Sequence, residues 1–455
     1  MKSYRFLWRA SVLCLLLNTA SAWAQNTVMD LKQIYEAALL QDATIRASRA
    51  ATDAGRERLP QAKAGLLPQI SASAGRNTND LNSTTPNILG NLSTINDKYL
   101  SDNRSVQLRQ PLLNMQRWLQ FQQAKSIVDE AEANLDRDLQ NLVVRVAGTY
   151  FETLLADEQL DLVLAQKTLY TSLVDAAKKG LASGSGTRTD VDDAQSRLDM
   201  SSAQELEARQ HQDLMRRQLQ LLINQPVSRI AKLDVSSLKL AAPEPANLET
   251  WTEKAEQASP EIKGMKARLE QARKELSKAQ AGHLPTLEAV AQWSNSGSEN
   301  ITRINSRYEN KSLGLQLTIP IYSGGYVSAT IRQAVAEQTR AEESLEVLRR
   351  DLGVRVHKEY RGVSEGVMRV LALEQAVRSA EQMMKSTQMS LKAGSRTQLD
   401  VLNAQQQYTM ALRDLAQARY TYLMAKVKLS SLVGGDAVMS VSEINASLKA
   451  TPIQQ

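Results

Sequence analysis

The 455-residue chain holds a single cysteine, Cys14. It lies in the opening stretch "MKSYRFLWRASVLCLLLNTASAWAQ", where Lys2, Arg5 and Arg9 precede an apolar run from Ala10 to Leu17 and Ala22-Trp23-Ala24 offers a small-x-small cleavage site. That order is the signature of a secretory signal peptide. Cleavage after Ala24 is expected, making residues 1–24 a leader and the exported chain thiol-free; Leu13, just before Cys14, is too large for a lipoprotein-processing site. Removing Lys2, Arg5 and Arg9 lowers the formal charge from +6 to +3 (6 − 3), and nothing in the remaining pattern suggests nucleic acid.

Long apolar runs are missing as well. None after the leader approaches the roughly 20 residues of a membrane-spanning helix, so a mature chain that crosses a bilayer must do so as a β-barrel. Histidine is scarce, and His211, His283 and His357 are too scattered for a metal site or an acid-base pair. The run "GLASGSGT" lacks the Gly-Lys-Ser/Thr ending of a phosphate loop, and no Gly-x-Ser-x-Gly elbow occurs. No enzyme, cofactor or metal is expected.

Proline is absent between Pro111 and Pro226 and again between Pro320 and Pro452, which permits uninterrupted helices. Within these stretches apolar residues recur at steps of three and four: Leu135, Leu139, Leu142, Val146, Tyr150 and Leu154, then Leu345, Leu348, Leu352, Val356, Tyr360, Val363 and Val367. This is bundle or coiled-coil spacing. A helix from Gln116 to Lys179 would be about 95 Å long at 1.5 Å per residue.

What the chain does have is repetition. "GSGTRTDVDDAQ" begins at Gly184 and "GSRTQLDVLNAQ" at Gly394, and the same offset of 210 places Leu142, Arg145, Tyr150 and Asp190 on Leu352, Arg355, Tyr360 and Asp400. A second offset of 217 aligns "RERLPQAKAGLLPQISASA" from Arg56 with "RKELSKAQAGHLPTLEAVA" from Arg273. The difference is assigned to a longer loop near residues 77–103 than near 295–310. Two copies are too few for a solenoid. The expected organisation is a duplicated unit, residues 25–240 and 241–435, followed by a poorly ordered tail at 436–455.

Each copy contains two short alternating segments, four in all: Ile70, Ala72 and Ala74; Val106 and Leu108; Leu287, Ala289, Ala291 and Trp293; Leu313, Leu315, Leu317 and Ile319. They read as strands with one apolar and one polar face. Transmembrane barrel strands have this pattern, and so do soluble half-buried strands. In the membrane case four strands cannot close a barrel, and open edges cannot face hydrocarbon, so subunits must share it, as a dimer or a trimer. Pro111 and Pro320, with Gly324 and Gly325, fall where strand becomes helix.

These residues resemble the TolC-like outer membrane channels, or outer membrane factors. The likeness runs through "LKQIYEAAL", "AGLLPQISAS", "TYFETLLADEQL", "IPIYSGG", "GSRTQLDVLNAQ" and "ARYTYLMAKVKLSSLVG". It implies a mainly α protein with a small transmembrane β part: long helical hairpins that form an α-helical barrel, continued by a twelve-stranded β-barrel shared by a homotrimer. It further implies an outer membrane location with a large periplasmic portion. The partners would be a periplasmic adaptor and an inner-membrane transporter, ABC-type or proton-driven, in type I protein secretion or multidrug efflux.

In the resemblance the two hairpin tips close the tunnel. Asp400 matches an aspartate of the constriction ring, Arg396 an arginine that tethers neighbouring subunits, and Asp190 that arginine's acidic partner. Asn403 stands where the family pattern has a second ring aspartate, and Leu391 where it has a tethering tyrosine, so a lower ring charge is implied. Thr187-x-x-Asp190 and Thr397-x-x-Asp400 also read simply as helix starts. The competing reading of the whole chain is a periplasmic coiled-coil scaffold or adaptor with a soluble β subdomain, and the outward face of Leu313, Leu315, Leu317 and Ile319 separates the two.

Overall fold

The proline-free stretches become four long helices. In the computed structural model, which describes residues 28–86, 88–227, 229–299, 306–435, 437–446 and 448–449, the elements follow in chain order. They are β1 (Val28–Met29), α1 (Leu31–Gln41), α2 (Ala43–Arg56), α3 (Arg58–Ala64), β2 (Gln69–Pro86), β3 (Leu92–Leu113), α4 (Met115–Ala182), α5 (Arg188–Ile223), β4 (Arg229–Ile230) and β5 (Lys232–Leu233). The second half supplies α6 (Leu248–Ala258), α7 (Pro260–Gln280), β6 (Thr286–Ser298), β7 (Ser306–Thr318), α8 (Tyr326–Lys392) and α9 (Gln398–Leu432), then α10 (Ala437–Asn445) and β8 (Leu448–Lys449). The expected leader and its cleavage site lie outside the described residues.

The duplication is visible in the element lengths. Helices α4 and α5 have 68 and 36 residues, their counterparts α8 and α9 67 and 35. At 1.5 Å per residue each of the longer pair extends on the order of 100 Å.

Two compact units divide the chain, and each draws on both halves. The first comprises residues up to Arg49, Leu135–Ile262 and Leu348 onwards. Its core contains the periodic positions read from sequence: Leu142, Val146, Tyr150 and Leu154 of α4 and Leu352, Val356 and Val363 of α8 are buried. Tyr150 is fully buried, and its hydroxyl donates to the carbonyl of Ala231. Its repeat mate Tyr360 is only half-buried. Of the described residues after 435, α10 buries Val441 and Ile444, and β8 pairs antiparallel with β5.

The second unit, Ala50–Asn134 with Lys263–Val347, holds a four-stranded antiparallel sheet in the order β2-β3-β6-β7. Direct cross-strand partners share a face. One such row is Ile70, Leu108, Ala291 and Leu313; the next row on the opposite face is Ser71, Gln107, Gln292 and Ser312. The apolar and polar faces expected from alternation are therefore in register across all four strands. Leu313, Leu315, Leu317 and Ile319 lie exposed on the apolar one.

Residues 77–86 and 92–103 are strand, not part of the longer loop to which the difference in repeat offset was assigned. They continue the β2–β3 hairpin, paired without a break from Gln69↔Arg109 to Pro86↔Leu92. Among the described residues β3 pairs with β6 no further than Ser101, with the Glu299 N–H reaching Leu100 O, so 79–86 and 92–99 form a two-stranded ribbon. Threonine and alternating polar side chains suit a largely exposed ribbon, in which Asp97 is buried.

Candidate functional site

The two repeated motifs build the same turn twice. At the end of α4, Gly184 adopts φ 74° and donates to Leu181 O, and Ser185 donates to Gly180 O at 3.0 Å. At the end of α8, Gly394 adopts φ 76° and donates to Leu391 O, and Ser395 donates to Ser390 O at 3.0 Å. Positive φ is cheap only for glycine, which accounts for that residue at each helix end. Three residues on, Thr187 caps α5 and Thr397 caps α9, and in each case the aspartate at the third helical position closes a capping box. The aspartate N–H reaches the threonine hydroxyl at 3.2 Å in both tips, and the threonine N–H reaches the carboxylate at 2.9 Å in both.

This geometry sets the charge of both carboxylates. The hydroxyl and then the N–H of Thr187 hold Asp190 below the usual range; at Asp400 the N–H of Thr397 acts first, then its hydroxyl, with Arg396 a smaller contributor. Both are anionic at neutral pH. Arg396 lies 3.7 Å from Asp400 of its own chain, an exposed i,i+4 pair. Leu391 ends α8 half-buried. Asn403 is exposed one turn beyond Asp400, and its Oδ1 accepts from Nη2 of Arg197 on α5 at 3.0 Å. Sequence reading had passed over Arg197, whose partners are 206 and 209 positions away.

The strand-to-helix turns differ from each other. Pro111 sits within β3, opposite Glu288, and a register shift follows between Pro111 and Leu113. The turn itself falls at Asn114, whose Oδ1 accepts from the N–H of Arg117 and so caps α4. In the second copy Pro320 lies two residues past the end of β7, and Gly324 and Gly325, at φ 62° and 82°, lead into α8. Among the described residues no cluster of His, Cys, Asp or Glu converges on a metal-sized site. Nor is any described helix long and apolar enough to cross a membrane.

The arrangement of duplicated hairpins and a two-faced sheet has close parallels. The family model for outer membrane efflux proteins matches residues 34–225 and 251–435, one segment in each half. The chain belongs to the outer membrane efflux protein family. It is 30% identical over 449 residues to the proteases secretion protein PrtF of Dickeya chrysanthemi, covering 98% of this chain and 96% of that one. It is 32% identical over 406 residues to the alkaline protease secretion protein AprF of Pseudomonas aeruginosa, covering 88% and 83%. The crystal structure of the outer membrane protein VceC of Vibrio cholerae shares the fold, with a TM-score of 0.76 at 17% identity over 89% of this chain and 96% of that chain.

Membership decides between the two readings of the sheet. The protein is an outer membrane channel of the TolC-like type that performs no chemistry of its own, and the soluble scaffold reading falls.

Proposed function

We propose that three copies of this channel assemble around a common axis, each contributing four strands to a closed barrel of twelve. They give exported proteins a passive route out of the periplasm. The observation that carries this is the sheet: β2 and β7 each have one hydrogen-bonded neighbour, while the face they border is apolar and exposed. A peptide edge left open in hydrocarbon costs several kcal/mol per unpaired group. Pairing β7 of one subunit with β2 of the next removes both edges at once.

The export partners in this reading are a periplasmic adaptor and an inner-membrane transporter that supplies the energy. Protein cargo is favoured because PrtF and AprF, each matched over most of this chain, are named for protease secretion. The tips form the closure, with Asp400 ringing the constriction beside Asn403, and with Arg396 of one subunit reaching Asp190 of the next. Like charges focused at a narrow level by low-dielectric walls bias which ions pass.

The test is a membrane experiment on the chain with Ser73→Cys and Asn310→Cys, one thiol on each outer strand. A short thiol crosslinker applied to outer membrane vesicles should yield dimer and trimer bands, and the purified trimer should conduct in planar bilayers. A monomer that never crosslinks and leaves bilayers silent would remove the proposal. Cargo is settled by deleting the gene and assaying secreted protease beside drug tolerance.

A further inference from the structure

On the apolar face of the four-stranded sheet, the unbroken apolar run reaches outward to Ala74 in β2, Val106 in β3, Trp293 in β6 and Leu313 in β7. Ala74 lies two residues beyond the row that joins Val106 to Trp293, and Leu313 stops two residues short of it. The margin therefore steps by four residues across the sheet, about 14 Å along the strands against about 14 Å across them. At its other end the run begins at Ile70, Leu108, Leu287 and Leu317, where Leu287 and Leu317 again lie four residues inward of the Ile70 row. A belt skewed by roughly 45° is what a flat slab of hydrocarbon would mark on barrel strands tilted by about 35–45°. Strands β3 and β7 run from the inner margin into the periplasmic helices α4 and α8, so the first margin faces the exterior.

Immediately beyond that outer margin stand Arg76, Arg104, Asn295 and Lys311, one on each strand. Arg76, Arg104 and Lys311 are exposed, and among the described residues the guanidinium groups of Arg76 and Arg104 have no hydrogen-bond or ion-pair partner. The carboxylates come one step later: Asp102 and Glu309 are each two residues further out on the strands of Arg104 and Lys311. Glu309 accepts from Trp293 Nε1 at 3.1 Å and lies 3.0 Å from Lys311 Nζ, an exposed pair of the kind that binds weakly. Asp102 turns toward β6, where a Cβ on Gly297 would lie 2.8 Å from its Oδ1, and away from its cross-strand partner Arg76. On the opposite face the intervening row of Ser73, Ser105, Ser294 and Asn310 carries no charge. Charge placed for solubility alone would not choose one face.

We propose that Arg76, Arg104 and Lys311 form a ring of cations around the barrel that binds phosphate-bearing lipid headgroups of the outer leaflet. This rests on the shared barrel, whose apolar face meets lipid. At the level where hydrocarbon ends, the occupant of that face is a headgroup, and the first protein charges it meets are all positive. A guanidinium fork matches two phosphate oxygens at once. Arg76 and Arg104 are diagonal neighbours, with Cα atoms about 7–8 Å apart, close enough for both forks to reach one headgroup.

The test is lipid retention by the full-length trimer, passed through micelles of nonionic detergent and bisphosphorylated lipid A and assayed for bound phosphorus. Arg76→Gln, Arg104→Gln and Lys311→Gln should each weaken binding about five-fold at low salt, and together by about a hundred-fold. Asp102→Asn should strengthen it, a gain that misfolding cannot imitate. Arg109→Gln, which removes a cation of the opposite face, should bind as wild type does. Lipid A stripped of its phosphates should bind the wild type no better than the triple variant. Equal retention by wild type and triple variant, or of the two forms of lipid A, would overturn the proposal. Competition by inorganic phosphate at the concentration of the lipid would make this a site for free anions and overturn it too. Conduction in planar bilayers shows that each variant has assembled. If retention is unchanged while conduction and the crosslinked trimer persist, the ring fails and the barrel stands; if the unaltered strands neither crosslink nor conduct, both fail.

Discussion

The hydroxyl of Tyr420 donates to Oε1 of Glu158, joining α9 to α4 across 262 positions of sequence. Burial pushes the Glu158 carboxyl up, opposed first by this hydrogen bond and then by the charges of Arg419 and Lys232. A carboxyl raised in the folded state binds its proton more tightly there than when unfolded. The stability it contributes is therefore present at low pH and lost as pH climbs from the ordinary carboxylate value through the raised one. Melting curves recorded across that window should show the decline, and Glu158→Gln should flatten it. A slope identical in variant and wild type would mean that Glu158 is not the group responsible.

The paired tips make a second expectation. Thr187→Ala and Thr397→Ala each remove a capping hydroxyl and should cost about 1 kcal/mol of local stability. Hydrogen exchange should accelerate in the first turn of α5 or α9 only, with Thr→Ser restoring protection. Spreading of the effect along the whole helix would contradict a role confined to the cap.

Two glycines of α8 differ in what surrounds them. A Cβ on Gly362 would lie 2.9 Å from that of Ala425, whereas one on Gly353 would meet nothing within 4 Å. Alanine gains up to about 1 kcal/mol over glycine inside a helix, and overpacking costs roughly 1–3 kcal/mol. Gly353→Ala should raise the melting temperature and Gly362→Ala should lower it. Equal shifts would show that α8 and α9 do not approach as closely as the structure has them.

At the proposed constriction, Asp400→Ala should weaken cation preference and raise conductance, and Arg396→Ser should loosen the closed state. Planar bilayers report both. Current unchanged in both variants would detach these residues from closure while leaving the fold untouched.

Much of this was legible in the sequence because its signals are local or periodic. Proline gaps marked α4, α5, α8 and α9; alternation marked the faces of β6 and β7; the recurring Gly and Thr-x-x-Asp marked both tips. The length of β2 and β3 was not legible, since Asn79, Asn82 and Thr84 carry a loop's composition and only pairing with a neighbour makes them strand. Arg197 and Glu158 were invisible for another reason. Each finds its partner more than 200 residues away, and a single sequence records no such distance.

The near-equal lengths of α4 and α8, and of α5 and α9, carry a consequence for how such a molecule can change over time. One residue inserted in either long rod would swing everything beyond it by roughly 100° and advance it by about 1.5 Å, so the capped ends would fall out of step unless the other copy grew in concert. The β2–β3 ribbon is under no such bookkeeping. The hairpin can therefore lengthen without disturbing the match between the two copies, whereas the rods can change length only together.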